Sequence, residues 1–211
     1  MKKIALFGGT GQTGKEFLKL AIPEGYSIKM LVRSLEKAQQ YAPHVELIQG
    51  DVLNKADVEK TVKGTDVVVS LFGHVKGSPR WLQTNGTQNI IESMKKHSVE
   101  RIISLSGGGL PFPEKDKPKL PDHLIRGIMK LFVPKVLEDA VKHAEVLEES
   151  GLKWTIVRGP RLTNDAAKGE YRVGWVGVNA GTKVTRADLS DFILKEVKSE
   201  AFNYQMPFVT Q

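Results

Sequence analysis

KIALFGGTGQTG, residues 3–14, decides the fold of this 211-residue chain. Its first five residues are an apolar run that predicts a buried strand, and helical spacing follows over Lys15–Ala21. Between the two lies a turn in which Gly8, Gly11 and Gly14 have the spacing G-x-x-G-x-x-G. A glycine turn that follows a strand directly and opens a helix is typical of a site for the pyrophosphate of a dinucleotide.

Each glycine of this turn has its own physical use. The first permits a tight turn, the second lets the backbone approach a pyrophosphate, and the third lets helix and strand pack closely. The helix N-terminus then offers unpaired N–H groups and the positive end of its dipole to the phosphates. Threonine and glutamine side chains in the turn are expected to add donors. The predicted cofactor-binding residues here are Gly8, Thr10, Gly11, Gln12 and Thr13.

The end of the second predicted strand, Ser27–Val32, bears on the choice of dinucleotide. An acidic residue at this point usually bonds the ribose 2′-hydroxyl of NAD. Here Arg33 and Ser34 follow the strand, and no carboxylate precedes Glu36. A planar guanidinium suits a phosphate, and a serine hydroxyl can donate a second hydrogen bond. The sequence therefore favours NADP, used as NADPH, with Arg33 and Ser34 at the 2′-phosphate; the alternative is that Arg33 is a solvated surface charge.

Two further turns belong to the same predicted edge of the sheet, where ligands of such folds bind. Asp51 and Val52 follow the third strand, and they are expected to accept from the adenine amino group and to pack on its ring. The alternative for Asp51 is a cap on the following helix. His74, which follows Gly73, could face the same pocket but is not counted among the predicted site residues. The turn after the fourth strand consists of the predicted cofactor contacts Leu71, Phe72 and Gly73.

Strands and helices alternate along most of the chain. The predicted strands are Lys3–Phe7, Ser27–Val32, Val45–Gln49, Asp66–Phe72, Arg101–Leu105 and Trp154–Val157. The predicted helices are Lys15–Ala21, Leu35–Tyr41, Lys55–Val62 with Asn54 as its N-cap, Gln83–His97 and Val136–Ser150. This alternation predicts the α/β class: a Rossmann-type, doubly wound parallel sheet in a single NAD(P)-binding domain over residues 1–211.

The stretch 107–134 interrupts the alternation with three consecutive glycines and five prolines. Connections this long are usually functional or mobile, so we expect a mobile, lid-like insertion. The segment His123–Leu137 mixes apolar residues with Arg126, Lys130 and Lys135. Two interpretations fit this mixture: an apolar lid over a flat ring ligand, which we favour, or a basic helix that touches a membrane surface.

Composition excludes several classes of protein. The chain has no cysteine, which removes disulfides and thiolate chemistry, and it has no run of the ~18 apolar residues needed to span a bilayer. Its net charge of +7 is spread along the chain rather than gathered in one block, so we expect an anionic cofactor and substrate rather than nucleic acid. We expect a cytoplasmic location, and a monomer is compatible with the sequence.

These features resemble the atypical short-chain dehydrogenase/reductase superfamily. Within it, the chain is most similar to the biliverdin-IXβ reductase/flavin reductase family and to the NmrA-like NAD(P)H-binding proteins. The stretches that carry the resemblance are KIALFGGTGQTG (3–14), GDVL (50–53), ADVEKTVKG (56–64), ESGL (149–152), TIVR (155–158) and TRADLSDF (185–192).

One part of the usual machinery is missing. Ordinary short-chain dehydrogenases use a tyrosine with a lysine four residues later, which lowers the pKa of the phenol. The residues four positions after the four tyrosines are Met30, Val45, Trp175 and Phe208. The resemblance therefore implies hydride transfer from NADPH to a flavin or a similar planar, conjugated and anionic acceptor without that pair, because ring stacking supplies most of the effect. The alternative is a non-catalytic, NADP-sensing regulatory protein of the NmrA-like kind.

The resemblance also supplies the catalytic candidates. Two histidines of the reductase family align with Ala140 and Ala144, and a third aligns with Arg161, which would suit an anionic substrate; the alternative is a surface arginine in a loop. His143 lies one residue out of register, rotated by about 100°. Ser106 ends the fifth strand, where related enzymes place a hydroxyl near the nicotinamide; the alternative is a serine that caps the turn. The predicted catalytic residues are thus Ser106, Arg161 and His143. Ser106 is also a predicted cofactor contact. The histidines show no metal-ligand spacing, so no metal site is predicted.

Overall fold

The structure, a computed structural model, describes residues 2–211. Each predicted strand is present, and further elements follow residue 107. The strands are β1 Lys3–Phe7, β2 Ser27–Val32, β3 Glu46–Gln49, β4 Val67–Ser70, β5 Arg101–Gly107, β6 Lys153–Gly159, β7 Arg161–Thr163, β8 Arg172–Gly174, β9 Lys183–Thr185 and β10 Phe208–Thr210. The α-helices are α1 Gln12–Ala21, α2 Lys55–Val62, α3 Leu82–Lys96, α4 Leu120–Phe132, α5 Pro134–Glu148 and α6 Arg186–Ser199.

Eight strands form the main sheet in the order β3-β2-β1-β4-β5-β6-β10-β8. All neighbours in it run parallel except β8, which is antiparallel to β10 at one edge, and β7 and β9 form a separate parallel pair. The order reverses between β1 and β4, as it does at the crevice of dinucleotide-binding sheets. The predicted Rossmann-type sheet is confirmed, and the antiparallel edge strand is an addition to it.

Helices cover both faces of the sheet. On one face α1 packs against α6, and on the other α3 packs against α2 and α5. Strands buried on both faces read as continuous apolar runs, and β4 shows this directly: Val67, Val68 and Val69 are fully buried, with alternate side chains in the two cores. Burial of the sheet on both faces is what a doubly wound fold requires.

Helix ends agree in part with the sequence. Asn54 caps α2 as predicted, its side chain accepting from Ala56 N at 2.9 Å. The first helix begins at Gln12, three residues earlier than predicted, because the turn itself supplies the first helical residues. The predicted helix Leu35–Tyr41 is a 3₁₀ helix over Glu36–Tyr41. Among residues 2–211, no helix is both long and apolar enough to cross a membrane.

The insertion 107–134 has two different halves. Arg158 of β6 binds residues 107–119 to the sheet. Its fully buried guanidinium donates to both carboxylate oxygens of Asp116, each at 2.8 Å, and to Leu110 O. Asp116 also accepts from the backbone N–H groups of Phe112 and Val176. The second half is α4, which has no buried residue. Mobility of the insertion stays a prediction; these contacts fix residues 107–119, and none of them involves α4.

Candidate cofactor and acceptor site

The glycine turn between β1 and α1 is shaped by contacts that leave no room for side chains. Gly8 has φ +82°, and a Cβ there would lie 2.8 Å from Phe72 Cα. A Cβ on Gly14 would lie 2.6 Å from Gly9 Cα. At Gly11 a Cβ would meet only Gly8 O, at 3.2 Å. Gly8 and Gly14 are therefore required by the fold, whereas Gly11 leaves space open on its outer side, as a closely approaching ligand would need.

The N-terminus of α1 presents free donors at this turn. Gly11 is the N-cap residue and no side chain caps the helix, so the first N–H groups are left for a ligand. Thr10 is half-buried and Gln12 is exposed. Thr13 is buried, and its carbonyl accepts from Ser190 Oγ at 3.1 Å, which fixes α1 against α6. The open cradle and the uncapped helix fit a pyrophosphate.

Arg33 and Ser34 lie one strand away, directly after β2. Arg33 is exposed and Ser34 is half-buried. Within residues 2–211, the Arg33 guanidinium makes no hydrogen bond and no ion pair. Its charge is thus available to a bound anion, which is compatible with the predicted 2′-phosphate contact.

A second wall of the cradle is apolar. The backbone of Phe72 lies against Gly8. The Phe72 ring and the Val52 side chain pack together over Gly86 of α3. A Cβ on Gly86 would lie 2.8 Å from the Phe72 ring and 3.0 Å from the Val52 side chain. Asn89, one turn later, donates from Nδ2 to Val52 O at 3.0 Å and fixes this turn. A flat surface of this kind suits a purine ring.

Asp51 closes a local turn and keeps a free oxygen. Its Oδ1 accepts from Leu53 N at 2.9 Å, while Oδ2 has no partner within residues 2–211. The cap of α2 is Asn54. The helix-cap alternative for Asp51 is therefore filled by another residue, and Oδ2 is left for an amino group.

Open space lies at the ends of the next two strands. The register pairs Ser70 of β4 with Ser104 of β5. Gly73 lies three residues beyond Ser70, after the end of β4, and Gly107 lies three residues beyond Ser104, at the end of β5. A Cβ on Gly73 or Gly107 would meet nothing within 4 Å. Ser106 is 7% exposed, and its Oγ is buried without a hydrogen-bond partner in the described chain. An unpaired buried hydroxyl beside an open edge is a group that a ligand can satisfy.

His143 lies in the interior rather than at this edge. Its side chain is 1% exposed, and Nε2 is 2.9 Å from Ser104 Oγ. Burial lowers the pKa of His143 to about 4, against a smaller opposing effect of Asp139, so the ring is neutral at pH 7. The resemblance names His143 as a catalytic candidate, one residue out of register; burial and the lowered pKa disfavour this role, because the ring contacts no solvent and is not in the imidazolium form.

A different histidine, which is not among the predicted site residues, lies next to the open space at Gly73. His74 follows Gly73 directly, and its Nε2 is 2.6 Å from Oδ2 of Asp139, a fully buried carboxylate on α5. Asp139 also accepts from the backbone N–H groups of Gln83 and Thr84 at the start of α3. The Asp139 carboxylate thereby fixes the imidazole ring of His74. Nδ1 of His74 makes no hydrogen bond to residues 2–211.

Arg161 begins β7 just beyond the end of β6 and is exposed. Its backbone pairs with Lys183 of β9, so two cations sit side by side there. That position is compatible with the predicted attraction of an anionic substrate. Among residues 2–211 there is no group of three or more histidine, aspartate or glutamate side chains that could hold a metal ion.

Comparison with known proteins agrees with this geometry. The model of the NAD(P)H-binding family matches residues 8–200, which is most of the chain. The chain belongs to the NAD(P)H-binding family. It is 28% identical over 177 residues to an uncharacterised chloroplastic protein of Arabidopsis thaliana; the match covers 80% of this chain and 62% of that protein.

Solved structures show the same fold at low identity. A short-chain dehydrogenase/reductase from Veillonella parvula, crystallised in complex with NADP, superposes with a TM-score of 0.83 at 19% identity, covering 100% of this chain and 95% of that one. The anaerobillin reductase ChuY from Escherichia coli O157:H7 has a TM-score of 0.79 at 20% identity, covering 100% and 97%. These structures show the same Rossmann-type fold, and the family model independently assigns the chain to the NAD(P)H-binding family.

Proposed function

We propose that this protein is an NADPH-dependent reductase of flavins or of a similar planar, conjugated and anionic acceptor. The observation that carries the proposal is that the open space at Gly73 and Gly107 follows β4 and ends β5, at the same carboxyl edge of the sheet as the glycine turn after β1. Ser106 and His74 stand next to these glycines in the sequence and supply the polar groups that reduction of a ring placed there would require.

The chain's own residues have separable tasks in this reaction. A bound reduced nicotinamide supplies a hydride. Ser106 Oγ donates a hydrogen bond that orients the nicotinamide or the acceptor, and Arg161 attracts an anionic group of the acceptor. Arg33 and Ser34 hold the 2′-phosphate and so select NADPH. Together with uptake of one proton by the acceptor, these steps complete a two-electron reduction.

His74 is the best-placed source of that proton. With Nε2 held by Asp139, Nδ1 is the nitrogen left to face the acceptor. Histidines held by a carboxylate are common general acids, and such a group contributes roughly 10²–10⁴-fold where proton transfer limits the rate. Flavins need this help least, because hydride transfer to them can leave an anionic product that water protonates later.

Stopped flow with NADPH and excess FMN tests the function. We expect NADPH oxidation faster than in protein-free solution, no NADP-linked oxidation of simple alcohols, and only a modest decrease with Ser106→Ala. A rate equal to the protein-free rate, with NADP binding shown by calorimetry, would refute the reductase.

A second variant tests the proton source. His74→Ala should lower kcat by about 10²-fold for acceptors that need a proton, leave NADP affinity unchanged, and regain part of the rate with added imidazole. His44→Ala is the matched control, because His44 is exposed and precedes β3, at the opposite end of that strand from Asp51 and Val52. A loss without imidazole rescue would assign His74 to structure alone.

The alternative, an NADP-sensing regulatory protein, has one specific observation in its favour. His143 stands on α5, the helix in which the reductase family has two histidines, and it is buried and neutral, so this chain lacks a histidine donor there. If NADP binds and no tested acceptor is reduced, the sensing function is the better conclusion.

A further inference from the structure

Helix α4 has its apolar side turned toward solvent. Leu120, Leu124, Leu131 and Phe132 are 84%, 66%, 76% and 75% exposed, and Ile125 is 54% exposed. We call these five residues, together with Ile128, the apolar face of α4. A helix of a globular protein normally directs such a stripe to the core, so an outward stripe marks a surface for an apolar partner.

The side of α4 that faces the protein is the more polar one. Asp122, Arg126 and Met129, spaced by four and three residues, are its half-buried positions. Arg126 and Asp122 line a cavity of about 320 Å³ between α4 and the Gly109–Leu110 turn. The expected apolar cover over the acceptor is therefore not formed, since the apolar residues face the other way.

Local signals fix this helix independently of its apolar face. Asp122 Oδ2 accepts from Lys119 N at 2.8 Å, which satisfies a donor at the start, and a proline stands in the first turn, where it is tolerated. The helix is thus capped and begins in a defined place. Its outward apolar face is a property of a formed helix, not of an unfolded segment.

Exposed lysines flank the apolar face along the chain. Residues 114–135 contain six cations and three carboxylates, and one of those carboxylates, Asp116, is already bound by buried Arg158. One of the cations, Arg126, lies on the side of α4 that faces the protein. The other five are exposed, so the exposed balance is positive: Lys115, Lys117, Lys119, Lys130 and Lys135.

We infer that α4 docks this protein on an anionic membrane surface, with the apolar face in the headgroup region and the lysines against lipid phosphates. An amphipathic helix with basic flanks binds anionic lipid by buried apolar area together with electrostatic attraction. A second copy of the chain is a poorer occupant, because two such faces would bring like charges together. Docking would place the cavity beneath α4 next to the bilayer.

Co-sedimentation of the full chain with vesicles tests the inference. Vesicles of phosphatidylcholine with about one third phosphatidylglycerol should retain the protein, and pure phosphatidylcholine should retain little. Leu124→Ser combined with Leu131→Ser should weaken retention by about tenfold or more, from the lost apolar burial. Lys130→Glu should weaken it by at least roughly fivefold, from the lost attraction of one lysine.

Matched controls change the same properties elsewhere. Tyr204→Ser removes an exposed aromatic ring near the start of β6, at the opposite edge of the sheet, and Lys95→Glu makes the same charge change at the end of α3. Neither should alter retention, and circular dichroism should show that every variant is folded at the assay temperature. Equal retention on both vesicle types, no retention on either, or a dimer in ultracentrifugation that the double variant dissolves would each overturn the inference.

Discussion

Replacing Gly11 by valine separates the cofactor cradle from the fold. A Cβ at Gly11 meets only Gly8 O, at 3.2 Å, and the residue has φ −71° and ψ 168°, an extended backbone that valine adopts readily. The expected cost in folding free energy is about 1 kcal/mol or less, the difference between glycine and an apolar residue at an N-cap. The valine methyl groups, however, project into the space where a pyrophosphate would lie.

The loss of affinity should be much larger than the loss of stability. If two charge-assisted hydrogen bonds from the α1 N-terminus are lost, each worth about 1.5–3 kcal/mol, NADP affinity should fall roughly 10²–10⁴-fold. Isothermal titration calorimetry gives the affinity, and urea denaturation gives the free energy of unfolding.

Gly14→Ala is the contrasting variant, because its Cβ would lie 2.6 Å from Gly9 Cα and should destabilise the fold itself. Gly11→Val with wild-type NADP affinity would refute the placement of the pyrophosphate.

Three other perturbations follow from single contacts. Arg33→Ala should weaken the binding of NADPH by about 1.5–3 kcal/mol and the binding of NADH hardly at all. Lys95→Ala is the charge control, and calorimetry that shows equal weakening for both cofactors would refute the 2′-phosphate contact. The pKa of His143 is about 4 in the folded protein, below that of the unfolded chain, so its contribution to stability is retained above pH 6.5. The free energy of unfolding should decrease by up to about 3 kcal/mol as pH falls from 6.5 toward 4. Denaturation at stepped pH measures this dependence, and His143→Gln should flatten it. Arg158→Met should lower the free energy of unfolding by about 3–5 kcal/mol, since Asp116 would remain buried without its partner; a smaller change would show that water reaches that carboxylate.

The cradle could be predicted from sequence because its determinants are local. Gly8, Gly11 and Gly14 lie within seven residues of one another, and a strand on one side and a helix on the other fix the turn's geometry. The strands could be predicted for the same reason, since burial on both faces requires an unbroken apolar run such as Val67–Val69.

The acceptor end could not be predicted in the same way, because its contacts join distant residues. His74 meets Asp139 across 65 positions, and Arg158 meets Asp116 across 42. A signal existed for His74, which directly follows the predicted turn at Gly73. For Arg158, a charged residue within the buried run TIVRG predicts a partner, but nothing local identifies it.

Helix α4 shows a third kind of limit. Amphipathic spacing reveals that a helix has an apolar side, but it does not reveal which side faces the protein. The lid interpretation assumed that Leu124 and its neighbours face inward, whereas they face solvent. The buried pair of Arg158 and Asp116 explains how this orientation is compatible with a stable fold: it anchors residues 107–119 without any contribution from the apolar face of α4. The anchor leaves that face free for another surface, and the same loop holds the cavity beside it at the carboxyl edge of the sheet.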